Sequence, residues 1–158
     1  MKKKIIIPTM IAAFGFAAFV SPKHVDVYKV DTKLSSMEWF AEKLTGKHNG
    51  TILFSSGEIN SDHGNLSGTF EMDMTTIENK DMSGEYKAKL EKHLKEVDFF
   101  DVAKFPKAKF VTISIIPVEE VKEGGFTHTV KGNLTVKDKT NEITFDAVIK
   151  SEEDKIAC

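Results

Sequence analysis

Phe70-Glu71-Met72-Asp73-Met74-Thr75 alternates apolar and polar residues, so that Phe70, Met72 and Met74 share one face and Glu71, Asp73 and Thr75 the other. A strand, whose side chains alternate with a period of two, sorts residues this way, whereas a helix would scatter them around its axis. Outward from this stretch the pattern recurs in Val130-Lys131-Gly132-Asn133-Leu134-Thr135-Val136-Lys137 and in Glu142-Ile143-Thr144-Phe145-Asp146-Ala147. Between those two lies Asp138-Lys139-Thr140-Asn141, a polar turn of hairpin length. Thr45 to Gly50, Asp62 to Asn65 and Glu123 to Gly125 carry further turn residues, spaced as a meander of antiparallel strands requires. The chain reads as all-β.

One segment departs from this period. From Ser83 to Val97 the apolar residues Tyr86, Leu90, Leu94 and Val97 fall on a helical stripe, with Glu91 and Lys95 spaced to pair across one turn. Ser83 suits the N-cap, and the helix is expected to span about 83–97, ending before Asp98-Phe99-Phe100. A lone helix thus interrupts the meander between a strand ending near Ile77 and one beginning near Lys107. An antiparallel sheet of roughly seven strands with one helix across an end closes most naturally as a β-barrel, with a sandwich as the competing arrangement.

The 158 residues are enough for a single domain with a sizeable core. Apolar residues at 41% and charged residues at 29% exclude a disordered tail, a collagen-like fibre and a polytopic membrane protein. All 22 basic residues are lysine, so the planar fork that grips phosphate or guanine bidentately is absent, and nucleic acid is not an expected partner. The one cysteine, Cys158, cannot form an internal disulfide.

Met1 to Val20 pairs Lys2-Lys3-Lys4 with the apolar run Ile5 to Val20, the layout of a secretory signal. The run is shorter than the roughly 20 residues of a comfortable transmembrane helix, so export with cleavage is the first reading and an uncleaved anchor the second. Removing this segment takes away three lysines and no acids, leaving 19 Lys against 24 acids and an acidic domain. The expected organisation is a signal segment at 1–21, a barrel domain at 25–150 and a short polar tail at 151–158, with a periplasmic or secreted destination.

No catalytic or metal motif stands out. His24, His48, His63, His93 and His128 form no pair at ligand spacing, and no G-x-S-x-G occurs. Glu119-Glu120 and Glu152-Glu153 lie in polar stretches, while Asp81, Asp98 and Asp101 flank the helix as turn and cap residues. No catalytic residue, metal ligand or cofactor is assigned.

Aromatic and thioether bulk is abundant instead. Trp39, Phe54, Phe70, Phe99, Phe100, Phe105, Phe110 and Phe145, with Met72, Met74 and Leu134, fill either a packed core or the walls of an elongated apolar cavity. Leu90 and Leu94 add the helix's contribution.

His93-Leu94-Lys95-Glu96-Val97-Asp98-Phe99-Phe100-Asp101-Val102-Ala103-Lys104-Phe105-Pro106 resembles the HLK-x-x-DFFDV-x-K-[YF]-P signature of the YceI-like proteins, secreted bacterial lipid binders also called polyisoprenoid-binding proteins. Val130 to Lys137 is similar to that family's V-x-G-x-LT-[IV] strand, and Tyr28-Lys29-Val30-Asp31 with Ser35-Ser36 to its opening. The resemblance covers about Tyr28 to Ile149. It implies a lipocalin-like antiparallel barrel whose tunnel holds an isoprenoid chain, as of a quinone or polyprenyl carrier, without catalysis and outside the cytoplasm. By position Phe99, Phe100 and Phe105 would be the signature aromatics beneath the helix, and Leu90 and Leu94 its barrel-facing stripe. Family members run on beyond the segment matched by Ile143 to Ile149, so the expectation is a shortened barrel with an open sheet edge, a route to homodimers. Two other readings stand beside the carrier: a structural or stress-response module with a filled core, and a secreted hydrolase or isomerase using His93 as base.

Overall fold

The computed structural model describes residues 25–43, 46–120, 125–152 and 155–158. The signal segment at 1–21, His24 and most of the Glu123–Gly125 turn lie outside the described residues.

Among the described residues nine strands and one helix follow in order: β1 Val25–Lys29, β2 Ser36–Lys43, β3 Gly46–Asp62, β4 Asn65–Asn79, α1 Gly84–Lys95, β5 Lys107–Pro117, β6 His128–Val136, β7 Lys139–Ala147, β8 Lys150–Glu152 and β9 Lys155–Ala157. The first seven strands build one antiparallel sheet along β1-β3-β4-β5-β6-β7, with β2 also pairing β3, and β8 and β9 form a separate hairpin. Residues 151–158, expected as a polar tail, thus carry most of this hairpin.

The long β3 organises the sheet. Its first half pairs with β2, from Lys43↔Gly46 to Ser36↔Leu53, and its last residues with β1, from Lys29↔Glu58 to Val25↔Asp62. Against its other edge lies β4, with register shifts at Thr51/Leu53 and Phe54/Ser56, and a third shift falls between β5 and β6 at Thr112/Ser114. Each bulge bends its strand and adds twist, which lets long strands curl towards a barrel. The hydrogen-bonded path begins at β1 and β2 and ends at β7.

Two turns explain the registers. Asp62↔Asn65 closes a two-residue turn in which His63 (φ 52°) and Gly64 (φ 87°) are both left-handed, the combination that matches the twist of flanking strands. The β6–β7 turn is Lys137-Asp138, with Lys137 at φ 57°, so Lys139 to Asn141 already belong to β7 rather than to the expected four-residue turn.

The helix is shorter than 83–97 and its apolar stripe narrower. Leu94 is buried and Leu90 half-buried, but Tyr86 and Val97 are 73% and 74% exposed. Ser83 occupies the N-cap with extended backbone and makes no side-chain capping bond. Glu91, expected to pair with Lys95, accepts the backbone N–H of Asn79 at 2.8 Å. A polar clamp holds this end of the sheet. Asn79, fully buried, donates to Asn49 O (3.0 Å) and Asp81 Oδ1 (2.6 Å) and accepts from Met82 N (2.9 Å), so β3, β4 and the entry to α1 are tied together with its polar groups satisfied.

Beneath α1 the core comprises Ile52, Met72, Met74, Ile77, Leu94, Val102 and Ala108. The chain after the helix doubles back through Phe100 N to Leu94 O (3.2 Å) and Val102 N to Lys95 O (3.1 Å), which seats Val102 in that core.

Candidate ligand cavity

Away from the helix the inward faces of the sheet do not meet. They leave a half-open apolar cavity of about 290 Å³, walled by Met37 of β2, Phe54 and Ile59 of β3, Phe70 and Met72 of β4, Phe110, Thr112 and Ile115 of β5, Val130 and Leu134 of β6 and Ile143, Phe145 and Ala147 of β7, with Ile149 and Cys158, and Phe145 stays 44% exposed. Two lining residues carry polar side-chain atoms. Thr112 Oγ1 accepts the Gly68 N–H at 2.7 Å, and burial pushes the Cys158 thiol pKa up, keeping it uncharged near neutrality. Such a wall offers no charged group to pair with a charged substrate, and suits an apolar chain.

Four phenylalanines run across the wall as a connected row. Ring centroids are 6.3 Å apart for Phe54 and Phe70, 6.4 Å for Phe70 and Phe110, and 5.7 Å for Phe110 and Phe145. Glycines create the room for these rings. A β-carbon on Gly68 would come within 2.8 Å of the Phe70 ring, and one on Gly132 would collide with Phe110. Met72, 2% exposed, belongs both to the cavity wall and to the core under α1, and so floors the cavity at the helix end. At the other end a wider space of about 710 Å³ shares Ile59, Phe70 and Cys158 with it and is lined by β1, Asp31, Leu34, Ser35 and residues 155–158.

The structure divides the thirteen sequence candidates. Phe54, Phe70, Met72, Phe110, Leu134 and Phe145 line the cavity. Trp39, Met74, Leu90 and Leu94 pack in or against the core at the helix end, with the Trp39 indole over Gly50. Phe99 and Phe100 line an outer groove with Val136 and Lys137, and with Leu134 and Ile143, which it shares with the cavity; Phe100 also packs against the core, and Lys137 Nζ donates to Val97 O (3.2 Å) and Phe99 O (3.0 Å). Phe105 lies in the segment before β5 with Lys104 Nζ 5.0 Å from its ring centre. The other cavity residues, outside those thirteen candidates, are Met37, Ile59, Thr112, Ile115, Val130, Ile143, Ala147, Ile149 and Cys158. The run Ile143, Phe145, Ala147 carried the signal, since its alternation aims all three inward.

Among the described histidines none lines the cavity. His48 pairs with Asp81 (2.9 Å), His63 with Asp62 (2.7 Å) and His128 with Thr127 Oγ1 (2.8 Å). His93 sits on the exposed side of α1 against Phe99, so the cavity and the base assigned by the hydrolase reading are not brought together. His93, Glu96 and Asp98 do gather ligand atoms within 4.8 Å of one another, all at the exposed surface. Asp81 is held down to about 2 by the Asn49 N–H first and then by His48 and Asn79, which marks it as a structural anchor rather than a proton donor at neutral pH.

The model of the YceI-like domain matches residues 28–157. The chain belongs to the YceI-like family. Among curated YceI-like relatives, a UPF0312 protein of Pseudomonas putida is 38% identical over 65 residues, covering 41% of this chain and 31% of that protein. Protein YceI of Salmonella arizonae is 36% identical over 67 residues, 42% of this chain and 32% of that one. The matched stretch therefore spans about a third of these relatives' length. The crystal structure of Burkholderia cenocepacia BcnA superimposes with a TM-score of 0.62 at 20% identity, covering 78% of this chain and 72% of BcnA. At that identity the likeness shows the shared lipocalin-like fold.

Proposed function

We propose that this chain binds and carries, outside the cytoplasm and without chemistry, an amphiphile with an isoprenoid-type apolar tail. The observation that carries the reading is the cavity itself: a row of four phenylalanines and aliphatic side chains around 290 Å³, with its single hydroxyl already bonded. Each buried methylene contributes ~0.8 kcal/mol, so ten of them supply about 8 kcal/mol, comparable with an association cost of roughly 4 to 15 kcal/mol. An apolar tail alone can sustain binding on that scale. Membership of the YceI-like family supports the same reading. Export is supported by the basic run Lys2-Lys3-Lys4 followed by the apolar stretch to Val20. Among the described residues no helix is long and apolar enough to cross a membrane.

A packed, ligand-free interior is the competing reading. Under that reading the apolar walls around the 290 Å³ space face solvent with nothing to bury them. The test is denaturing extraction of protein purified from a producing bacterium, followed by mass spectrometry of the released lipid. A stoichiometric apolar-tailed species is expected. Protein that is free of lipid and also refuses added farnesol overturns the proposal.

A further inference from the structure

The C-terminal end of α1 brings together three side chains that the cavity does not use. His93 stands in the last turn of the helix, Glu96 is its C-cap and Asp98 follows shortly after, so one short stretch supplies an imidazole and two carboxylates. His93 Nδ1 lies 3.9 Å from Glu96 Oε2 and 3.9 Å from Asp98 Oδ2, and the ligand atoms of all three lie within 4.8 Å of one another. Among the described residues no other three histidine, cysteine or carboxylate side chains converge in this way. None of the three lines the lipid cavity.

The imidazole is too far from either carboxylate for a direct hydrogen bond of roughly 2.7 to 3.2 Å. Its distance is nearer the separation of about 3.3 Å between ligand atoms around a tetrahedral ion, and small rotations of these exposed side chains close the difference. The backbone already fixes where the three start from. Glu96 N–H bonds to His93 O (3.2 Å), Glu96 O accepts the N–H groups of Phe99 (3.1 Å) and Asp101 (2.8 Å), and Lys137 Nζ anchors Val97 O and Phe99 O on either side of Asp98. The His93 ring packs edge-on against Phe99, with centroids 5.6 Å apart. Charge favours a cation here, because the carbonyl end of the helix adds partial negative charge to the two carboxylates. Lys92 Nζ approaches the other Glu96 oxygen, Oε1, at 3.9 Å, which leaves Oε2 facing His93. We infer that His93, Glu96 and Asp98 form a surface site for a divalent transition-metal ion of the zinc class, with the remaining coordination positions open. Imidazole with carboxylate suits zinc and its neighbours, whereas calcium takes roughly six to eight oxygens.

The experiment is calorimetric titration of the full chain with zinc chloride, in parallel with His93→Ala, Asp98→Asn and His63→Asn. One zinc ion per chain is expected to bind wild type and His63→Asn alike, and to bind at least about tenfold more weakly to His93→Ala and to Asp98→Asn. The near-isosteric Asp98→Asn carries the test should His93→Ala fold poorly. Zinc is also expected to raise the melting temperature of wild type and not that of His93→Ala, since the ion ties the helix to the loop after it. Absence of zinc binding in wild type overturns the site. So does a zinc step that survives His93→Ala, which places the metal on another histidine or on Cys158. A loss in His93→Ala with none in Asp98→Asn overturns the three-ligand assignment. Calcium chloride, titrated in the same way, is expected to give no step; calcium binding as tight as that of zinc overturns the ion class.

Discussion

Phe70 and Phe110 are direct cross-strand partners on β4 and β5, their rings stacked with centroids 6.4 Å apart and an interplanar angle of 26°. The pair forms the middle of the aromatic wall, and it exists because neighbouring strands place glycines beneath the rings. Gly132→Ala puts a β-carbon where the Phe110 ring lies. The expected loss is about 1 to 3 kcal/mol of stability, the usual range for overpacking, measured by urea denaturation. Gly46→Ala, where nothing lies within 4 Å, is expected to stay within about 0.5 kcal/mol of wild type. Equal effects at the two positions would show that the ring does not occupy the space over Gly132.

The narrow buried stripe of α1 separates its apolar residues into two classes. Leu94→Ala removes a side chain from the packed core and is expected to cost about 2 to 5 kcal/mol. Tyr86→Ala and Val97→Ala, at exposed positions, are expected to change stability by less than about 0.5 kcal/mol. Thermal unfolding of the three variants checks the docking of the helix, and a large loss at Tyr86 would mean that the helix turns a different face to the sheet.

Acid sensitivity is expected from the clamp around Asp81. Its pKa is lowered from 3.8 to about 2 by the Asn49 N–H, His48 and Asn79, so the ionised form is the one the fold prefers. The corresponding stability is fully present above pH 4 and is lost as pH falls towards 2, because the unfolded chain takes up the proton first. Glu78, held down to about 2 by Lys80 and Lys87, contributes with the same sign in the same window. Asp81→Asn is expected to flatten the fall in urea midpoint between pH 5 and pH 2.5. An unchanged pH profile in that variant would remove Asp81 from the account.

Much of the fold was legible because alternation is a local property. The faces of β4 could be read from Phe70 to Thr75 alone, and the Asp62–Asn65 turn from its Gly64. The division between core and cavity was not legible. Phe70, Met72 and Met74 point the same way along one strand, yet Met74 meets Leu94 and Val102 while Phe70 faces open space; where α1 docks decides between them. The surroundings of the signature aromatics Phe99 and Phe100 were hidden for a related reason: the chain doubles back after α1, which seats Val102 in the core, packs Phe100 against it and leaves both rings lining an outer groove. The Asn79–Asp81 clamp joins residues some thirty positions apart in sequence to Asn49, and no local period encodes it.

Photo-crosslinking with a geranyl probe that carries a diazirine at the tail end tests the central claim most directly, because it asks which residues surround the bound tail. After proteolysis and mass spectrometry, adducts are expected on the peptides of β4, β5 and β6 that hold Phe70, Met72, Phe110 and Val130. Adducts confined to Phe99, Phe100 and Lys137 would place the ligand in the outer groove and contradict the claim that the inner cavity is the binding site.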